Sequence, residues 1–101
     1  MTDSTYSLYL VRCNDGSLYT GIATDVERRV KEHEVSSKGA KYLRGKTPLT
    51  VVFTRELGNR SLASKVEGHV KKLSRREKSD TLILAARIDG FLETLAAPNK
   101  E

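Results

Sequence analysis

The chain has 101 residues, with 18 Lys and Arg against 13 Asp and Glu, so its formal net charge is +5 and it favours a polyanionic partner. This length allows one small domain, which buries roughly 60–70% of its unfolded surface and leaves little room for polar core residues. The single Cys13 excludes an internal disulfide and a zinc site of paired cysteines, and it fits a reducing compartment. The sequence contains no membrane-spanning apolar run and no signal-peptide pattern, so we expect a cytoplasmic protein without a membrane partner.

The first predicted element is a β-hairpin over residues 6–21. Strand-forming residues are followed by an Asp15-Gly16 turn signal and a returning strand. Tyr9 and Tyr19 lie on the two arms, and in register they would face the same side of the sheet. The alternative is that each is an ordinary sheet tyrosine with its hydroxyl at the surface.

A first helix is predicted at about 25–35, with Thr24 and Glu27 spaced as a capping box. Arg29 and His33 share one face of this helix with two valines, because residues three and four apart lie on the same side. An Arg in that stripe needs a partner or a task, unless it lies at the stripe's edge and reaches water.

A strand at 49–57 and a helix at about 60–73 follow. Glu67 lies within or beside the apolar stripe of that helix, where a carboxylate must be paired, hydrogen-bonded or bound to a metal. The structural alternative for Glu67 is a salt bridge, for instance to Arg29.

A second capping box, Ser74 with Glu77, predicts a helix that also holds residues 81–85. Asp89-Gly90 is expected to interrupt it before a short last helix.

The order β-β-α-β-α-α predicts an α/β fold of the α+β type, a small three-stranded antiparallel or mixed sheet flanked by helices. We expect a single domain over residues 1–101, with its core at about 6–83 and a C-terminal helical tail at 84–97.

Basic residues concentrate in a loop after the first helix and around the junction after residue 70. Either group could contact phosphates or be an ordinary solvated surface. The candidate nucleic-acid contacts are Lys38, Lys41, Arg44, Lys46, Lys71, Arg75 and Lys78.

The polar residues that the pattern turns inward are Tyr9, Tyr19, Arg29, His33 and Glu67. An Arg can stabilise the charge that gathers on a phosphodiester in the transition state. A single carboxylate can hold Mg²⁺ if waters and phosphate complete the shell, and Mn²⁺ fits the same ligands. A Tyr or His can position or deprotonate water. The same set also suits a site that only grips phosphate.

Two tyrosine motifs carry a resemblance to a known family, Ser7-Leu8-Tyr9 and Tyr19-Thr20-Gly21, followed in order by Arg29, His33 and Glu67. Over roughly residues 6–83 the sequence resembles the GIY-YIG nuclease superfamily, and within it the small stand-alone bacterial YhbQ-like branch.

The resemblance implies roles residue by residue. Glu67 would be the metal ligand, and Arg29 would hold the scissile phosphate. Tyr19 would orient or deprotonate the attacking water, assisted by Tyr9 and His33. Gly21 would let the backbone pass close to the site, as glycine does at tight approaches.

Three hypotheses follow. The first is an endonuclease that hydrolyses DNA with Mg²⁺ in repair or recombination, with no small-molecule cofactor and an oligomeric state that the sequence leaves open. The second is a non-catalytic nucleic-acid-binding module, because some family members carry an Asn where this chain has Lys78, Ser79 and Asp80. The third is a structural domain in which Arg29 and Glu67 simply pair.

Overall fold

The computed structural model describes residues 5–35 and 45–96 and confirms the three-stranded sheet flanked by helices, with the last helical region divided in two. The strands are β1 (Tyr6–Arg12), β2 (Leu18–Ala23) and β3 (Thr50–Gly58). The helices are α1 (Val26–Val35), α2 (Arg60–Lys71), α3 (Arg75–Ser79) and α4 (Thr81–Ala96). Within the described ranges, none of these helices is long and apolar enough to cross a membrane.

Strands β1 and β2 form the predicted hairpin, and β2 continues slightly beyond its predicted end. The turn contains Gly16 at a φ of 86°, in the left-handed region that glycine adopts without steric cost. The register pairs Tyr9 with Gly21 and Val11 with Tyr19. The two tyrosines are therefore diagonal neighbours on one face of the sheet, as the register argument expected.

The sheet has the order β2-β1-β3, and both pairings are antiparallel, so β1 is the central strand. Tyr9 and Val11 belong to the face that packs on α1, which we call the α1 face. Leu8 and Leu10 belong to the opposite, α2/α4 face, where they pack on α2 and α4. Because both faces of β1 are covered, all four side chains are buried, and each leucine contributes about 1.5–3 kcal/mol of burial free energy.

Helix α1 begins after Asp25 rather than after Thr24. The Asp25 side chain accepts a hydrogen bond from the N–H of Arg28 at 3.1 Å, and its carbonyl accepts the next one from Arg29 at 3.0 Å. The predicted capping box of Thr24 with Glu27 is therefore wrong. An aspartate caps a helix at least as well as a threonine, and its negative charge also suits the positive end of the helix dipole.

Helix α2 is built as its pattern predicts. The side chain of Asn59 accepts a hydrogen bond from the N–H of Leu62 at 2.9 Å and caps the helix. Ala63, Val66 and Val70, spaced three and four residues apart, are fully buried. This packing sets the rotation of α2 and therefore the position of every other side chain on it.

The capping box of Ser74 with Glu77 is confirmed, but the helix that it opens, α3, has only five residues. The Asp80 carboxylate then accepts hydrogen bonds from the N–H groups of Leu82 at 3.0 Å and Ile83 at 3.3 Å. The predicted single helix is thus two helices, because Asp80 offers a better start to α4 than to a continuation of α3.

Helix α4 runs through Asp89 and Gly90 without a break, so the predicted interruption there is wrong. Leu84 and Ile88 are fully buried. Asp89 forms an ion pair with Arg55 of β3, with 2.6 Å between the carboxylate oxygen and the guanidinium nitrogen. A glycine inside a helix costs about 1 kcal/mol relative to alanine, less than the burial of two aliphatic side chains stabilises. The tertiary contacts of α4 therefore outweigh the local turn signal.

Candidate active site

Three aromatic side chains meet on the α1 face, and we call them the aromatic cluster: Tyr9 from β1, Tyr19 from β2 and His33 from α1. The ring centroids of Tyr9 and Tyr19 lie 6.4 Å apart, and those of Tyr19 and His33 lie 5.8 Å apart. The hydroxyl of Tyr9 is 3.1 Å from Nε2 of His33, which makes a buried hydrogen bond. The hairpin register and the helix period thus bring three predicted site residues together.

Gly21 is the reason that Tyr9 can lie flat against β2. A Cβ at this position would lie 2.5 Å from the Tyr9 hydroxyl oxygen and 2.6 Å from Cζ, distances that real Cβ atoms do not tolerate. The backbone therefore approaches the aromatic cluster closely at Gly21, where only glycine leaves room for the phenol.

Burial keeps both members of the Tyr9–His33 pair uncharged. Burial, with a contribution from Tyr19, raises the pKa of Tyr9 to about 12, although the nearby guanidinium of Arg29 opposes this rise. Burial and the charge of Arg29 lower the pKa of His33. At neutral pH the pair is a protonated phenol beside a neutral imidazole, so the Tyr9 hydroxyl can donate to Nε2 of His33.

Arg29 lies at the edge of the aromatic cluster with its side chain 42% exposed. Its Nη1 donates to Oε1 of Glu32 at 3.1 Å, and Glu32 also pairs with Arg28 at 3.5 Å. The hydrogen bond to Glu32 raises the pKa of Arg29, so the guanidinium stays charged. The partly exposed guanidinium keeps donors for an incoming anion.

Glu67 approaches the cluster from α2 with its side chain 20% exposed. After burial and Tyr19, its negative charge is a smaller influence that raises the pKa of Tyr9, so the carboxylate lies close enough to the phenol for its charge to be felt there. Its ion-pair partner is Lys71, one helical turn away, at 3.2 Å. Glu67 therefore does form a salt bridge, as the structural alternative held, but with Lys71 rather than Arg29, which pairs with Glu32 on its own helix.

A divalent metal at this site would have one protein carboxylate. Within the described ranges, no group of three or more His, Cys, Asp and Glu side chains could hold a metal ion. Glu67 can supply one oxygen ligand, which fits Mg²⁺ or Mn²⁺ only if water and substrate oxygens fill the remaining positions. The site thus suits an ion that is held jointly by protein and substrate.

An open groove runs along β2 beside the aromatic cluster. Five residues line it: Leu18, Tyr19, Thr20, Lys71 and Lys78. Two of the predicted nucleic-acid contacts, Lys71 and Lys78, are therefore brought next to Tyr19. The groove is open to solvent and carries the positive charges of Lys71 and Lys78, which suits a phosphate backbone.

The other basic candidates have different surroundings. Nη2 of Arg75 donates to the carbonyl of Gly16 in the hairpin turn at 2.6 Å, and Lys46 pairs with Asp15 at 3.3 Å. Arg75 thus links α3 to the hairpin turn, and Lys46 links the segment before β3 to the same turn. The remaining three candidates, Lys38, Lys41 and Arg44, lie outside the described residues.

The sequence reasoning missed Glu32 and the role of Asp15. Glu32 follows Arg29 by three residues, so the ordinary rule for ion pairs on a helix surface would have found it. The pairing of Asp15 with Lys46 joins segments that are distant in sequence, and no local pattern signals it.

Comparison with known proteins gives a consistent result. The model of the GIY-YIG catalytic domain matches residues 5–80. The chain is 52% identical to the UPF0213 protein YhbQ of Escherichia coli strain K12 / DH10B over 90 residues, covering 89% of this chain and 86% of the relative. It is 51% identical to a UPF0213 protein of Yersinia pestis (strain Pestoides F) over 88 residues, which cover 87% of this chain and 92% of the relative. The solution structure of protein EF2693 from E. faecalis is 32% identical, with a TM-score of 0.53, and the similarity covers 100% of this chain and 97% of that one.

Proposed function

The chain belongs to the GIY-YIG family, whose domains are generally those of endonucleases, and on that premise we propose that it hydrolyses phosphodiester bonds in DNA with a divalent metal. The observation that carries the proposal is the convergence of Arg29 and Glu67 on the aromatic cluster, whose Tyr19 lines a basic groove.

In this proposal Arg29 binds the scissile phosphate. Its guanidinium is charged and partly exposed, so it can stabilise the negative charge that grows on the non-bridging oxygens. Glu32 restrains the guanidinium from the other side. The positioning of a fixed cation at the point where charge develops is the main catalytic contribution of this residue.

In this proposal the aromatic cluster positions and deprotonates the attacking water. A pKa of about 12 prevents Tyr9 from acting as a base at neutral pH, and its one proton is donated to His33, so we assign it the role of a hydrogen-bond acceptor that helps to position the water. Tyr19 lines the groove, and we assign it the orientation and deprotonation of the water. The pairing of Tyr9 with His33 leaves Tyr19 as the groove-facing phenol of the cluster.

Glu67 would hold the metal, and Mg²⁺, or Mn²⁺ in its place, would supply Lewis-acid stabilisation of the phosphate when bound. We propose DNA as the substrate, with a task in repair or recombination in the cytoplasm. The net charge of +5 supports a nucleic-acid partner, and the lone, buried Cys13 fits a reducing compartment.

A cleavage assay tests this proposal. Labelled single-stranded, duplex and branched DNAs and RNAs are incubated with Mg²⁺, Mn²⁺ or EDTA, using wild type, Glu67→Gln and Arg29→Ala. We expect metal-dependent cutting of DNA that both substitutions remove. Glu93→Gln, at an exposed position of α4, makes the same charge change away from the site and should leave cutting unchanged. Cutting by Glu67→Gln at the wild-type rate would overturn the proposal.

The second candidate is a nucleic-acid-binding module without catalysis. It is favoured by Lys78, a cation that lines the groove in the segment where some family members carry an Asn. This alternative predicts salt-dependent binding without cutting on any member of the panel, and it predicts that Glu67→Gln binds nucleic acid at least as well as wild type.

A further inference from the structure

Lys71 is within reach of two different anions. Its ammonium lies 3.2 Å from Oε2 of Glu67, and the same side chain lines the groove beside Tyr19 and Lys78. Its side chain is 53% exposed, so the long flexible stem is not locked in one position. Lys71 can therefore neutralise either the Glu67 carboxylate or a phosphate in the groove.

The position of the Lys71 ammonium, either at Glu67 or at a phosphate in the groove, decides how well Glu67 can bind a cation. An ammonium on Oε2 occupies one of the lone pairs that a metal could use, and its positive charge repels a divalent ion nearby. Residues four apart on a helix remain neighbours, so the Lys71 ammonium stays close to Glu67 on average until another anion competes for it. A phosphate group in the groove is such an anion.

We propose that Lys71 couples the binding of the divalent metal at Glu67 to the binding of nucleic acid in the groove. This inference rests on the proposed function, in which Glu67 is the metal ligand. In the free protein Lys71 holds Glu67 and weakens metal binding. Nucleic acid draws the ammonium away and frees the carboxylate, so the metal binds well only when a phosphate backbone is present.

The first test measures Mn²⁺ binding to the free protein by the electron paramagnetic resonance signal of unbound Mn²⁺. The variants are Lys71→Met, which keeps the length of the side chain, and Lys65→Met, on the opposite side of α2 from Glu67. We expect Lys71→Met to bind Mn²⁺ roughly three- to tenfold more tightly than wild type, because one neighbouring positive charge is removed. Lys65→Met should match wild type.

The second test measures the coupling itself by the fluorescence anisotropy of a labelled duplex DNA with a phosphorothioate backbone, which resists hydrolysis. Coupling is reciprocal, so the gain in DNA affinity that Mn²⁺ produces equals the gain in Mn²⁺ affinity that DNA produces. We expect this gain to be several-fold smaller in Lys71→Met than in wild type. Lys71→Arg, which keeps the charge, should restore most of it.

The outcomes separate this inference from the proposed function. If Lys71→Met matches wild type in both tests while Glu67→Gln loses Mn²⁺ binding, the coupling role is wrong and the metal site stands. If wild type binds no Mn²⁺ with or without DNA, or if Glu67→Gln binds it equally well, the metal role of Glu67 and the coupling both fail.

Discussion

The two faces of the sheet are packed with different kinds of residue. On the α2/α4 face the fully buried residues are apolar: Leu8, Leu10, Val66, Val70, Leu84 and Ile88. The α1 face buries Tyr9 and His33, joined by a hydrogen bond, and carries Arg29 at its rim. Among the described residues, no buried side-chain nitrogen or oxygen lacks a hydrogen-bond partner, so the polar face avoids the cost of unsatisfied groups. The α2/α4 face is thus packed with apolar residues alone, whereas the α1 face combines an apolar cluster with the buried polar pair and Arg29.

The largest expected effect is a loss of folding stability when a core side chain of the α2/α4 face is truncated. Leu84→Ala removes a fully buried side chain and should lower the free energy of unfolding by about 2–5 kcal/mol. Leu82→Ala, on the same helix but with the leucine 82% exposed, is the matched control and should change stability by less than about 0.5 kcal/mol. Urea unfolding measures both. Equal stabilities would mean that α4 does not belong to the core.

The next effect is on the α1 face and concerns activity. Arg29→Ala should reduce the cleavage rate about a hundred- to a thousandfold, equivalent to about 2.7–4 kcal/mol, if its guanidinium stabilises the transition state. Its surface ion pair with Glu32 contributes little to stability, so the fold should be kept. Arg28→Ala removes a neighbouring arginine that pairs with the same glutamate and should retain most of the rate. Single-turnover cleavage compares them, and equal losses would refute a specific role for Arg29.

Gly21→Ala should have an intermediate effect, because it should lower both the stability of the protein and its activity. The new Cβ would press on the Tyr9 phenol and force a rearrangement, which destabilises the protein by about 1–3 kcal/mol and disturbs the cluster. Gly90→Ala is the control, because a Cβ there meets nothing within 4 Å and alanine favours the helix. Thermal unfolding with a parallel activity assay checks both. A fully active, fully stable Gly21→Ala would show that the close approach is not required.

The smallest expected effect is a pH dependence from His33. Folding lowers the pKa of His33, so below its ordinary value of about 6.5 the unfolded chain binds a proton that the folded chain resists. The stability that the folded state gains from a neutral His33 is therefore present above that pH and is lost as the pH falls. His33→Gln should therefore show a smaller decrease in melting temperature than wild type between about pH 7 and about pH 5. His69→Gln, which removes an exposed histidine on α2, is the matched control for the loss of a histidine, and melting temperatures are compared across the same pH range.

Much of the fold and the candidate site could be predicted from short-range patterns. The Asp15-Gly16 turn placed the hairpin, and the valine spacing placed Arg29 and His33 on one side of α1. The break at Asp89-Gly90 could not be judged in the same way, because the burial of Leu84 and Ile88 before this signal and the packing of Phe91 after it decide it. Glu67 combines both cases, because its partner Lys71 follows from the local spacing of four residues, whereas its approach to Tyr9 depends on how α2 packs against the sheet.

The sequence by itself determined the three strands, the first two helices and which side chains share a face, because hydrogen bonding and periodicity act over a few residues. Only the tertiary structure decided that the Tyr9 phenol lies against Gly21 and that Lys71 stands between Glu67 and the groove. These contacts join strands and helices whose relative positions come from the summed packing of both faces. No single segment contains that information.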